Sequence, residues 1–138
     1  MRKFLDAYTE HAYALMRFVM GLLLSCHGAQ KLFGLFGGLH GTPGFHAVLL
    51  STAGVAGLIE ACCGLLVAVG LLASYAAFLS SGLMAVAYFT VHAPQGVWPI
   101  QNGGELAVAY CFALLLIATR GDGRFSVGYL RCAGSSGA

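Results

Sequence analysis

Charged side chains are scarce in this 138-residue chain: only 9% of positions are Asp, Glu, Lys or Arg, against 59% hydrophobic. An ordinary soluble domain is about a quarter charged, so a soluble fold is excluded at the outset. Charged loops are missing too. The apolar blocks are separated by Gly, Pro, Ser and His, and no second, soluble domain fits into 14.3 kDa. The net charge of +2 is too small for a nucleic-acid footprint, and no basic patch alternates with exposed aromatics, so no nucleic acid is expected as a partner. The cysteines Cys26, Cys62, Cys63, Cys111 and Cys132 show neither CxxC nor CxxCH spacing, which argues against a thioredoxin motif and c-type haem attachment. They read as small apolar core residues, and the vicinal Cys62–Cys63 pair has no charged neighbour but Glu60 to activate it. No metal site is expected.

What is present is hydrocarbon in long runs. Four segments, at 13–33, 48–71, 72–92 and 104–120, approach the roughly 20 helical residues needed to cross a bilayer core. The second and third are almost continuous, so a very short turn near Gly70 or Ser74 must fold them into a hairpin. The expected fold class is therefore all-α: a polytopic, antiparallel bundle of four transmembrane helices. It has an N-terminal segment at 1–12, a membrane domain at 13–127 and a small, polar, flexible tail at 128–138. A cleavable signal peptide is the competing reading of the first run, but Asp6 and Glu10 interrupt its n-region.

Arg2, Lys3 and Arg17 lie at the start of the first span and Arg120, Arg124 and Arg131 beyond the last, while 34–47 and 93–103 hold no Lys or Arg. The positive-inside rule then places both termini in the cytoplasm, and in a bacterium the two loops face the periplasm across the inner membrane. Trp98, Phe36 and Phe45 suit an aromatic belt at that interface.

Polar residues inside the apolar runs are the candidates for function. A charged group at a span centre costs about 2.5–3.5 kcal/mol, which roughly a dozen Leu, Ile, Val and Phe in the second span can offset. Glu60 is that group, and Ala53, Gly57 and Gly64 share its face, so a neighbouring helix is expected to approach closely there. Glu60 is expected to be protonated or paired. On the first span His27, Gln30 and Lys31 share one face near the outer end. Lys31 alone can snorkel to the headgroups, whereas His27, about 6 Å deeper, needs a partner. On the third span Ser81, Ala85, Tyr88 and His92 form a stripe at helical steps. The fourth opens with Asn102 and Glu105, which fit a capping box as well as a site. Convergent polar groups under the mouth of an apolar bundle point to a small-molecule pocket.

The motifs HGAQKLFG with FGG, then GVAGLIEACCGLL, then TVHAPQGVW with NGGELAVAY, resemble in order and placement the DoxX family of small bacterial membrane proteins, over about 13–127. The resemblance implies an inner-membrane oxidoreductase-type subunit, with relatives associated with thiosulfate:quinone oxidoreductase or terminal quinol oxidase complexes. On that footing the expected function is a membrane redox subunit that meets quinone in the outer half of the bundle. His27 is the expected ring partner and Glu60 the proton carrier, with Gln30, Lys31, Tyr88, His92 and Glu105 around them. Haem on His27 and His92 is disfavoured, because nothing specifies it. Partners besides the lipid bilayer are a membrane or redox enzyme, or further copies of the chain. The alternatives are a non-catalytic anchor that stabilises partner proteins, or a small transporter, the latter weakened by the lack of matching broken helices in two halves.

Overall fold

A computed structural model describes residues 2–135, with side chains from 4 to 131 except that of His40. Helix α1 spans Thr9–Phe33 and stops at Gly34, whose φ of 66° is left-handed and returns its N–H to the Gln30 carbonyl at 3.0 Å. Helix α2 spans Thr52–Val69; the Ser51 hydroxyl accepts the Gly54 N–H at 3.1 Å, and Gly70, φ 68°, closes it. Helix α3 follows after only Leu71 and Leu72, covering Ala73–Ala87, and runs on through a wide five-residue turn, Tyr88–His92, and a tighter one, Ala93–Gln95. Helix α4 is Glu105–Arg120 and α5 is Val127–Ser135.

No strand occurs among the described residues, so the chain is all-helical. Among the described residues three helices, Thr9–Phe33, Thr52–Val69 and Ala73–Gln95, are long and apolar enough to cross a membrane. Helix α4, at 16 residues, is about 24 Å long, short of the roughly 30 Å hydrocarbon core. The tail expected to be flexible from 128 is helical through Ser135; residues 136–138 lie outside the described part.

The helices pack in chain order, α1 on α2, α2 on α3, α3 on α4, and α4 touches α1 much less. Apolar side chains gain little by leaving lipid for each other, so close approach must hold such a bundle. Glycine supplies it. A Cβ on Gly28 would lie 2.6 Å from the Gly57 carbonyl oxygen, and one on Gly64 would lie 2.7 Å from that of Gly21. The core between the helices is Leu24, Val67, Ala73, Ala77, Leu114 and Ile117. Large apolar side chains face outward instead, Tyr75 78% and Phe78 69% exposed among them, an outer surface that suits lipid and not water.

The end of the bundle that carries the termini is tied by polar groups. The Asp122 Oδ1 accepts the Ala73 N–H at 2.6 Å, capping α3 from the far end of the chain. Tyr13 donates its hydroxyl hydrogen to the Gly121 carbonyl at 2.5 Å. Arg17, counted from the sequence among the basic residues that mark the cytoplasmic end of the first span, is buried. It donates to the last-turn carbonyls of α2, Val67 at 2.5 Å and Ala68 at 2.7 Å, and to Phe125 at 2.8 Å. Last-turn carbonyls are short of intrahelical donors, the Val67 oxygen receiving only the capping Gly70 N–H at 3.2 Å besides the arginine, and a cation there also suits the helix dipole. The cysteines divide: Cys63 is buried, Cys26 and Cys111 are half-buried, and Cys62 is exposed on the outer face, against the core position expected of it.

Candidate functional site

At the other end a cavity of about 220 Å³ opens among the four long helices. Helix α1 contributes Leu24, His27 and Lys31; α2 contributes Glu60; α3 and its continuation contribute Met84, Ala87 and His92. Leu106, Ala107 and Tyr110 of α4 complete it, with Gly103 just before. Its size is below the roughly 300–1,000 Å³ of pockets that enclose drug-sized ligands, and so suits a single ring.

Glu60 sits in the middle of α2 and is 2% exposed. Its partner is Lys31, whose Nζ lies 2.5 Å from Oε1. The lysine thus turns inward rather than snorkelling, which relieves the carboxylate of an otherwise prohibitive burial. Gly57, one turn above Glu60, makes this reach possible, because a Cβ there would lie 2.9 Å from the Lys31 Cβ. The second oxygen, Oε2, is buried without a hydrogen-bond partner among the described residues. A buried acceptor left open beside a cavity is the group most in need of a donor from whatever enters.

His92 is oriented by the backbone. Its Nδ1 lies 3.0 Å from the Asn102 carbonyl; a carbonyl only accepts, so Nδ1 carries the hydrogen and Nε2 of the neutral ring keeps a free lone pair. The wide turn at Tyr88–His92 brings it there. Such turns insert one residue into the helical repeat and recur at functional sites. The turn aligns His92 with Met84 and Ala87 on the cavity face, and of the expected Ala85, Tyr88 and His92 only His92 lies there. His27 meets the Tyr110 ring edge-on, centroids 6.1 Å apart, and makes no hydrogen bond among the described residues.

Of the seven residues proposed from the sequence, the cavity gathers four: His27, Lys31, Glu60 and His92. Tyr88 lies behind His92, rings stacked at 6.5 Å, with its edge over Gly104. Gln30 points into the following loop and donates to the Gly38 carbonyl at 3.1 Å. Glu105 is exposed at the first residue of α4. The capping box is not formed. Asn102 spends its Oδ1 on the Gly104 N–H and its Nδ2 on the Gly96 carbonyl, each at 2.8 Å, so the helix starts later, with Gly104 at its N-cap. Tyr110 was not singled out; its signal in the sequence is a phenol inside the apolar run ELAVAYCFALLL. Among the described residues no three His, Cys, Asp or Glu side chains gather as a metal would require.

The family described as DoxX matches residues 12–93, which takes in α1, α2, α3 and His92. A protein of Haemophilus influenzae (strain Rd), described only as uncharacterized, is 36% identical over 126 residues, 86% of this chain and 90% of its own length. No solved structure matches.

Proposed function

The chain belongs to the DoxX family of membrane proteins, and from this membership and the cavity we propose that it is a membrane subunit of a redox system that binds a quinone head group between its helices. The observation that carries the reading is the open oxygen of Glu60, buried against a ring-sized, mostly apolar space. A quinone exchanges two electrons and two protons between its carbonyl and hydroxyl forms, the electrons coming from a reduced partner outside this chain. The residues around the cavity have the matching polar work to do. Lys31 keeps ammonium hydrogens beyond the one given to Glu60, and Tyr110 offers a hydroxyl; both can donate to a ring oxygen. Glu60 Oε2 and His92 Nε2 can accept from a ring hydroxyl and hold its proton. The loosely packed seam between α1 and α4, bordered by His27 and Tyr110, is the natural path for a hydrocarbon tail into lipid. In this reading α4 is the fourth span and the cavity faces outward.

The test is to extract and quantify quinone from the protein purified in mild detergent. Wild type should retain quinone, and Glu60→Gln and His92→Ala should each retain at least tenfold less. Absence of quinone from wild type in quinone-rich membranes overturns the reading. The anchor alternative is favoured by one observation, that Lys31–Glu60 bridges two helices. It prevails if the same substitutions leave bound quinone unchanged and lower only the yield of a co-purifying complex.

A further inference from the structure

The end of the bundle opposite the cavity carries a second concavity, of about 420 Å³, between the start of α1, the end of α4 and α5. Its charges are unequally occupied. Glu10 and Arg120 are paired with each other. Asp122 gives Oδ1 to the Ala73 N–H, and its other oxygen lies so close to Gly128 that any side chain there would collide with it. Arg124 lines the same cleft, is exposed, and has no partner among the described residues. Tyr129 lines the cleft as well.

Next in the chain to these two lining residues are exposed apolar side chains, Phe125 after Arg124, 52% exposed, and Leu130 after Tyr129, 70% exposed. A cation with unspent donors, a phenol lining the same cleft and partly exposed apolar side chains at the adjoining positions, all at one end of the helical bundle, match an amphiphilic anion. A free inorganic anion would use the arginine and leave Phe125 and Leu130 bare.

We propose that this cleft binds an anionic phospholipid of the bilayer, its phosphate on Arg124 and Tyr129 and its acyl chains along Phe125 and Leu130. The site is separate from the cavity around Glu60, and its success or failure is independent of quinone.

The experiment is native mass spectrometry of the full chain in mild detergent, titrated with phosphatidylglycerol or with phosphatidylcholine. Wild type should bind phosphatidylglycerol about fivefold or more tightly than phosphatidylcholine, the weight of one basic side chain against an anionic lipid. Arg124→Gln should remove that preference and Tyr129→Phe should reduce it. Arg131→Gln, a change at an exposed cation outside the cleft, should leave it intact. Equal binding of the two lipids, or a preference that survives Arg124→Gln, overturns the proposal. So does an equal loss in Arg131→Gln, which would mean diffuse surface charge. Displacement of the lipid by millimolar inorganic phosphate would overturn it in favour of a free-anion site.

Discussion

Lys31 and Glu60 differ in how much each depends on the other. The lysine side chain keeps 26% of its surface exposed, the glutamate only 3%. If Lys31 is removed, a carboxylate already short of one hydrogen bond loses its other while its side chain stays buried. If Glu60 is removed, the lysine can swing toward the interface on its flexible stem. Breaking a buried pair costs about 3–5 kcal/mol when the stranded charge stays buried. Lys31→Met should therefore destabilise by about 3 kcal/mol or more and Glu60→Leu by about 1 kcal/mol, with the double variant well short of the sum. Chemical unfolding in detergent micelles measures all three. Equal single effects, or strict additivity, would show that the pair is not what holds Glu60.

At the scale of elements, the α1–α2 contact rests on absent side chains. A Cβ at Gly28 would press on the backbone of Gly57 and Ala61, which cannot yield without separating the helices. At Gly82 in α3 it would meet nothing within 4 Å. The same chemical change should thus have opposite signs. Gly28→Ala should cost about 1–3 kcal/mol by overpacking, whereas Gly82→Ala should gain up to about 1 kcal/mol by helix propensity. Thermal unfolding midpoints under identical conditions check both, and a fall of similar size at the two positions would refute the close approach.

The same elements show what could be read in the sequence and what could not. The Gly57–Glu60–Gly64 face was legible because 3.6-residue periodicity holds through α2 without interruption. On α3 the stripe was right at His92 and wrong at Ala85 and Tyr88, since the wide turn sets His92 five residues beyond Ala87 on the cavity face, a step that 3.6-residue periodicity does not foresee. The start of α4 was misread because Asn102 had two other hydrogen bonds to make. Arg17 was taken as a marker of membrane sidedness because charge near the beginning of a span usually is one. Its position four residues beyond Tyr13, inside AYALMRFVMG, is the feature that sets it with Glu60 as an interior charge.

For the whole molecule, packing fixes which ends lie together before any charge is counted. Tyr13 bonds to Gly121, Arg17 to Phe125, and the His11 and Phe125 rings lie 4.6 Å apart. The beginning of α1 and the end of α4 are therefore at one end of the bundle, and the 34–51 and 93–104 loops are at the other. If α4 crosses with the rest, the crossings are even in number and the two termini share a compartment. Its 16 residues fall a few ångströms short of the core, a mismatch that local thinning accommodates at modest cost. Arg120, Arg124 and Arg131 are all at the termini end, and the loops 34–47 and 93–103 at the other end contain no Lys or Arg, so that end should be cytoplasmic. In a background without native cysteines, Thr42→Cys should react with a membrane-impermeant maleimide added to cells whose inner membrane is intact. Arg131→Cys should react only after that membrane is opened. Labelling of both positions from outside would mean that α4 does not cross, and the reverse pattern would turn the bundle over and put the Glu60 cavity on the cytoplasmic side.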